Sequence, residues 1–290
     1  MKLGLVLEGG ASRSLFSCGV MDALLDEEIF ADYVIGVSAG IAYGTSYISR
    51  QSGRNLKLSV EYMHDKRYMG SRHLFDRKNR SYYSFEFAFN RIPKELVPFD
   101  FEAYTKNAET TTSIAVVTNI ETGKAEYKIL STDNWDKHIK TIWASCALPI
   151  LFHPEEIDGT LYMDGGIADP IPFEQAFNDG CDKVITVLTR ERSYSKESDF
   201  SVKLAKHIYR KYPEFGKVLV ERPKKYNLSR NRIFEMSDSG EMFVIAPTDT
   251  TGFSRTERDP DKLRSMYNDG YDTAKKLMPE LRKYLELSNI

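Results

Sequence analysis

Twice in the first fifty residues, an apolar run of five breaks at a glycine-containing turn and passes into a helical pattern. The first run, Leu3-Gly4-Leu5-Val6-Leu7, gives way to Glu8-Gly9-Gly10-Ala11-Ser12. An apolar stripe at Leu15, Phe16, Gly19, Val20, Ala23 and Leu24 follows it. The second run, Tyr33-Val34-Ile35-Gly36-Val37, breaks at Ser38-Ala39-Gly40 into a helix-like segment over residues 41–49. A strand without polar alternation is one covered on both faces. Strand, tight turn and helix in alternation imply parallel strands joined by right-handed crossovers. Both turns then fall at the carboxyl edge of one sheet, where α/β folds carry their sites.

The remaining elements extend this scheme. Residues 112–119 have strand character, and Glu121-Thr122-Gly123-Lys124 predicts a hairpin into 126–130. Residues 135–147 read as a helix that stops before Pro149, and 157–162 carry a second hairpin signal around Asp158-Gly159. Residues 183–188 predict another buried strand, 243–246 a last short one, and Pro260 opens a long amphipathic helix. Between 62 and 105, aromatic residues alternate with Arg and Lys without a clean period, which predicts an insertion capping the sheet. No repeat or linker divides the chain, so 1–290 is expected to be one domain. Its decorations are the 62–105 insertion and, from 190 onward, a basic segment and the C-terminal helix.

Composition excludes several function classes. The net charge is −2, so no global basic field points to nucleic acid. Three cysteines, Cys18, Cys146 and Cys181, form no C-x-x-C pair and predict reduced, buried thiols. His64, His73, His138 and His153 lack metal-ligand spacing and the acids are unclustered, so neither metal nor cofactor is expected. The first apolar run stops at Glu8, too short for a leader, and no apolar stretch of about 18 residues exists to span a membrane. The expectation is a soluble, cytoplasmic protein.

Three motifs carry chemistry. Gly36-Val37-Ser38-Ala39-Gly40 is a G-x-S-x-G on a strand-to-helix turn. Such an elbow lifts a serine hydroxyl clear of the backbone, and its glycines admit close neighbouring chain. Glu8 to Ser14 follows the first strand and opens a helix, where free amides make an anion site suited to an oxyanion. The segment fits neither nucleotide-phosphate fingerprint, and Asp32 precedes the second strand rather than ending it, so a nucleotide site is disfavoured. Asp164-Gly165-Gly166 closes the second hairpin, and its glycines would turn the chain sharply and hold the carboxylate at the rim.

This ordered set resembles the patatin-like phospholipase family over roughly residues 2–190. Ala147-Leu148-Pro149 ahead of Ile157-Asp158-Gly159, and Asp169-Pro170-Ile171-Pro172 after the Asp-Gly-Gly, belong to the same pattern. The resemblance implies a three-layer α/β/α sandwich with a mostly parallel sheet. It also implies a serine acyl hydrolase acting on lipid acyl esters through a Ser–Asp dyad. By the match, Ser38 is the nucleophile and Asp164 its base. Gly9, Gly10, Ala11 and Arg13 frame the oxyanion hole, and Gly36, Gly40, Gly165 and Gly166 support the elbow and the acid. The chain departs from the family at Ala11 and Ser14, where glycine is usual, and at Asp169, where many members have Asn. Ala11 is expected to resist the positive φ open to glycine.

Other readings stand beside this one. Ser38, Asp164 and His207 follow the chain order of α/β-hydrolase triads. A non-catalytic lipid- or acyl-binding protein would keep the same fold. Residues 190–232 hold 13 Lys and Arg against 5 Asp and Glu. They read as a solvated charged face or as a docking surface for anionic lipid headgroups.

Overall fold

The computed structural model describes residues 1–76, 81–197 and 208–286. In chain order the main elements are β1 (Leu3–Leu7), α1 (Leu15–Asp26), β2 (Tyr33–Val37), α2 (Ala39–Ile48), α3 (Arg54–Tyr62) and α4 (Phe101–Asn107). Then come β3 (Thr112–Asn119), β4 (Ala125–Ile129), α5 (Trp135–Cys146), β5 (Glu155–Ile157), β6 (Thr160–Asp164) and α6 (Phe173–Asn178). The last are β7 (Lys183–Val187), α7 (Pro213–Asp238), β8 (Phe243–Ile245) and α8 (Pro260–Tyr284). The strands form one sheet in the order β5-β6-β3-β2-β1-β7-β8, with β4 also paired to β3. The pairs β1–β2, β1–β7, β2–β3 and β7–β8 are parallel, while β4, β5 and β6 join antiparallel.

Both faces of the sheet are covered. Leu3, Leu5 and Leu7 of β1, with Val34 of β2, pack into a core with α1, α2 and α8. Val6, Tyr33, Ile35 and Val37 point the other way, toward Phe173 of α6 and Tyr226 and Ile233 of α7. Successive strand residues serve opposite layers, so both faces must be apolar and the strands read as unbroken runs. The result is the expected mixed, mostly parallel sheet between helical layers.

The register on β3 positions the site. Tyr33–Val37 of β2 pair with 112–116, and Asp164, Met163 and Tyr162 of β6 pair with 117–119. Val37 and Asp164 thus oppose neighbouring residues, Val116 and Val117. Past Asp164 the chain must turn tightly, because a Cβ on Gly165 would lie 2.2 Å from the Val116 carbonyl oxygen.

The 62–105 segment divides between two roles. It holds a π-helical stretch, Glu86–Leu96, and most of its helical turns lie on the α1–α2 side. Phe87, Ile92, Val97 and Tyr104 are buried in that core, while Tyr83 and Phe89 line a cavity described below. The segment is therefore partly core wall.

The basic segment also departs from a uniform solvated face. Much of it forms α7, with Pro223 inside the helix. Arg230 is only 2% exposed, with Nη2 donating to the Glu191 carbonyl at 2.5 Å. Lys217, Lys224, Lys225 and Arg232 face solvent. Of the stretch 198–207, which includes His207, the described residues say nothing.

At the carboxyl end of the chain, α8 crosses α1 through paired glycines. A Cβ on Gly19 would stand 2.0 Å from the Tyr267 carbonyl oxygen, and one on Gly270 would stand 2.0 Å from that of Phe16. Tyr267 and Tyr271 donate across the same interface to Asp22 and Asp26 at 2.7 Å. Gly270→Ala must push the helices apart and should destabilise the fold by about 2–4 kcal/mol. Urea unfolding measures this; an unchanged midpoint would mean that the crossing relaxes freely.

Candidate active site

Ser38 follows β2 directly and stands at φ 55°, ψ −130°, ahead of the first residue of α2. An L-residue rarely occupies this region, so surrounding contacts must hold it. The G-x-S-x-G glycines provide the space. A Cβ on Gly36 would lie 2.7 Å from the Ile41 amide nitrogen, and one on Gly40 would lie 2.6 Å from the Leu7 carbonyl oxygen. The Ser38 amide donates to Ser145 Oγ at 2.9 Å.

The end of α5 holds the acid as well. The Asp164 amide donates to the Ala147 carbonyl at 2.9 Å, and Thr118 Oγ1 donates to the Asp164 carbonyl at 2.8 Å. On the side chain, Oδ1 accepts the Gly166 amide at 2.8 Å. Oδ2 is buried with no partner in full hydrogen-bond geometry, although the Ser38 hydroxyl interacts favourably with the carboxylate. Burial raises the Asp164 pKa, and Arg222, Ser38, the Gly166 amide and Arg255 oppose that shift in turn. Cys146 also borders Ser38, and burial pushes its thiol well up, so it stays neutral.

The Gly-rich turn closes on the same place. A Cβ on Gly9 would be 3.0 Å from Ser38 Cβ. Ala11 does adopt a positive φ, 50°, against the expectation that it would resist. Left-handed backbone costs an L-residue about 1–2 kcal/mol. The C-terminal half supports this turn: Ser12 donates its amide to the Arg255 carbonyl at 3.1 Å and its hydroxyl to that of Glu257 at 3.0 Å. Arg13 is 8% exposed and borders the cleft, with burial, then Arg190 and Arg255, lowering its pKa to about 10. Ser14 is fully buried, and its hydroxyl has no hydrogen-bond partner among the described residues.

Ser38 borders two cavities. One, of about 550 Å³, is polar and includes Glu8, Gly9, Gly10, Ala11, Arg13 and Asp164 in its wall. The other, of about 720 Å³, is apolar and includes Met63, Tyr83, Phe89, Trp143, Leu151 and Phe152. A further apolar cavity of about 690 Å³ shares Ala42, Tyr43, Tyr68, Ala88 and Phe89 with it, so these side chains form the wall between them.

Every residue expected at the site borders it or braces it. Asp169 serves structure, accepting from the Tyr127 hydroxyl at 2.9 Å. Asp32 accepts the Leu3 amide at 2.7 Å, a strand-joining role. His138 is buried beside Tyr104 and Trp135 away from Ser38, its pKa lowered to about 4 by burial. No motif marks several further residues at the site: Ser145 and Cys146 on α5, Arg190 and Lys196 after β7, Arg222 and Tyr226 on α7, and Arg255 before α8. Only the G-x-S-x-G and Asp-Gly-Gly motifs announce themselves locally; these residues reach the cleft by tertiary packing.

The patatin-like phospholipase family model matches residues 5–177, from β1 through both motifs into α6. The chain belongs to the patatin-like phospholipase family. A second model, a domain of unknown function (DUF6363), matches residues 212–286. The patatin-like and C-terminal regions share one sheet through β7 and β8, and Tyr226, Arg222 and Arg255 of the second border the cleft of the first. The uncharacterized protein YjjU of Escherichia coli (strain K12) is 25% identical over 195 residues, 65% of this chain. Those residues are 52% of YjjU, so the chain spans about half the length of that relative. The crystal structure of VipD from Legionella pneumophila shares the fold, with a TM-score of 0.53 at 14% identity. That match covers 96% of this chain and 67% of VipD. Among the described residues, no helix is long and apolar enough to cross a membrane.

The raised pKa of Asp164 makes a stability prediction. A carboxyl whose folded pKa exceeds the unfolded value of about 3.9 stabilises below that value and loses the contribution as pH rises through the folded pKa. Asp164→Asn removes the buried charge and keeps the Oδ1 acceptor. It should be more stable than wild type at pH 7 by about 0.5–2 kcal/mol. The advantage should shrink as wild-type Asp164 protonates. Thermal melts of both proteins between pH 4 and pH 8 test this, and a constant difference would contradict it.

Proposed function

We propose that this patatin-like protein is a serine acyl hydrolase that cleaves lipid acyl esters through Ser38 and Asp164. One observation carries the reading: a strained serine beside a buried carboxylate, at the junction of a polar and an apolar cavity. An amphipathic ester fits that junction, with its acyl chain toward Phe89 and Trp143 and its alcohol toward the polar side.

The chemistry follows from the residues. Ser38 Oγ attacks the ester carbonyl while Asp164 takes its proton, for which burial makes the carboxylate a stronger base than an exposed Asp. The oxyanion meets the backbone amides of Gly10 and Ala11. Asp164 then gives the proton to the leaving alkoxide. In the second half, Asp164 takes a proton from water as that water attacks the acyl-enzyme carbonyl; the acyl–Oγ bond then breaks, Asp164 returns the proton to Ser38 Oγ, and the acid is freed. Arg222 and Arg255 oppose the rise that burial imposes on Asp164.

Turnover of short-chain and lipid esters tests the proposal. Ser38→Ala and Asp164→Asn should each lower kcat/KM by about a thousandfold or more. Wild-type kcat/KM should rise with pH through an apparent pKa above the ordinary Asp value of about 3.9. Full activity in either variant would overturn the dyad. A folded wild type that binds acyl chains but turns over no ester would favour the binding-protein reading.

The wall between the apolar cavities makes a specificity prediction. Phe89→Ala should join the two spaces and move the preferred acyl length upward. It should also cost about 3 kcal/mol of stability. A chain-length series on the folded variant decides; an unchanged optimum would remove the acyl chain from this cavity.

A further inference from the structure

Five cations line the polar cavity beside Ser38: Arg13, Arg190, Lys196, Arg222 and Arg255. Among the described residues, two carboxylates share it, Glu8 and Asp164. Glu8 is already engaged, with Oε2 accepting the Thr189 amide and Oε1 accepting the Tyr226 hydroxyl, both at 2.6 Å. Arg222 Nε donates to the Gly166 carbonyl at 2.6 Å, which fixes its guanidinium beside the acid. Arg13 and Arg190 each keep a buried Nε with no hydrogen-bond partner among the described residues. The excess positive charge is felt within the cluster: after burial, Arg222 and Arg255 are the largest causes lowering the Lys196 pKa to about 7.

Such a cluster is unfavourable in isolation and suits an anion with several acceptor oxygens. Arg190, Lys196, Arg222 and Arg255 all lie beyond residues 5–177, so the cavity is completed by the part of the chain outside the patatin-like match. The charge count favours a dianion over a monoanion. A head carrying its own quaternary ammonium would bring a cation into this cluster.

We propose that this cavity is a subsite for the phosphate monoester head of the acyl ester that Ser38 cleaves, making an acylglycerol phosphate the preferred substrate class. The proposal rests on the acyl-hydrolase reading for its ester and on the cation cluster for its phosphate. Arg190 and Lys196 would grip the phosphate oxygens, with Arg13 and Arg255 between the phosphate and the reacting carbonyl.

The test uses the full-length Ser38→Ala protein and calorimetric titration. The probes are inorganic phosphate, glycerol 3-phosphate, 1-hexanoylglycerol 3-phosphate and 1-hexanoylglycerol. The acylated phosphate should bind about tenfold or more tighter than either of its halves, since it fills both cavities. Adding Lys196→Met or Arg190→Met should bring the affinity ratio of acylated phosphate to acylglycerol down by about tenfold. Arg190→Lys should recover part of it, and thermal melts confirm that each variant folds. Equal affinity for the two acylated probes, or a ratio unmoved by both substitutions, would overturn the subsite. Inorganic phosphate binding as tightly as the acylated phosphate would assign the cavity to free phosphate and overturn the headgroup claim. Wild-type turnover separates the two readings. Hydrolysis of both acylated probes at equal kcat/KM removes the subsite and keeps the hydrolase, whereas phosphate binding without turnover of any ester removes the hydrolase.

Discussion

Ser38 and Asp164 meet because two strands end on one edge of β3 at adjacent residues. β2 runs parallel to β3 and stops opposite Val116, while β6 runs antiparallel and stops opposite Val117. The carboxyl ends of both strands therefore face each other, and the residue after one lies beside the last residue of the other. Because side chains alternate faces along a strand, a one-residue slip in either pairing would turn its side chains to the wrong face. The buried, opposite-facing apolar sets of β2 make such a slip costly. Packing of the two sheet faces thus fixes the geometry between a hydroxyl and a carboxylate that are distant in sequence.

The site's electrostatics follow from that burial. A dry carboxylate is a better base, yet one too dry would remain protonated. At Asp164 desolvation raises the pKa, and Arg222 and Arg255 draw it down. The same cations border the polar cavity, so the groups that tune Asp164 also set the charge of what can approach it. Among the described residues, the polar and apolar cavities share a small border at Ala11, Ser38, Leu148 and Arg255, and the Ser38 hydroxyl belongs to it.

Much of this was legible in the sequence where the cause is local. The runs at Leu3–Leu7 and Tyr33–Val37 reveal two-faced burial, and the Gly36 and Gly40 pair reveals close backbone approach around Ser38. The Asp158-Gly159 hairpin placed Asp164 at a strand end. What was hidden depends on contacts between distant segments. Ala11 takes a backbone its side chain disfavours, in a turn that the segment before α8 ties down through Ser12. Residues 190–232 carry a charge excess, but composition could not tell cations facing solvent from Arg190, Lys196 and Arg222, which face the cleft. Gly19 and Gly270 carry no local turn signal; what requires glycine at both is the crossing of α1 and α8.

The most direct test of the account is intact mass after treatment with a fluorophosphonate, on wild type, Ser38→Ala and Asp164→Asn. The account predicts a single adduct on wild type that maps to Ser38, is absent from Ser38→Ala and forms far more slowly in Asp164→Asn. No adduct on folded wild type, or equal labelling of the Asp164→Asn protein, would contradict an activated serine paired with this acid.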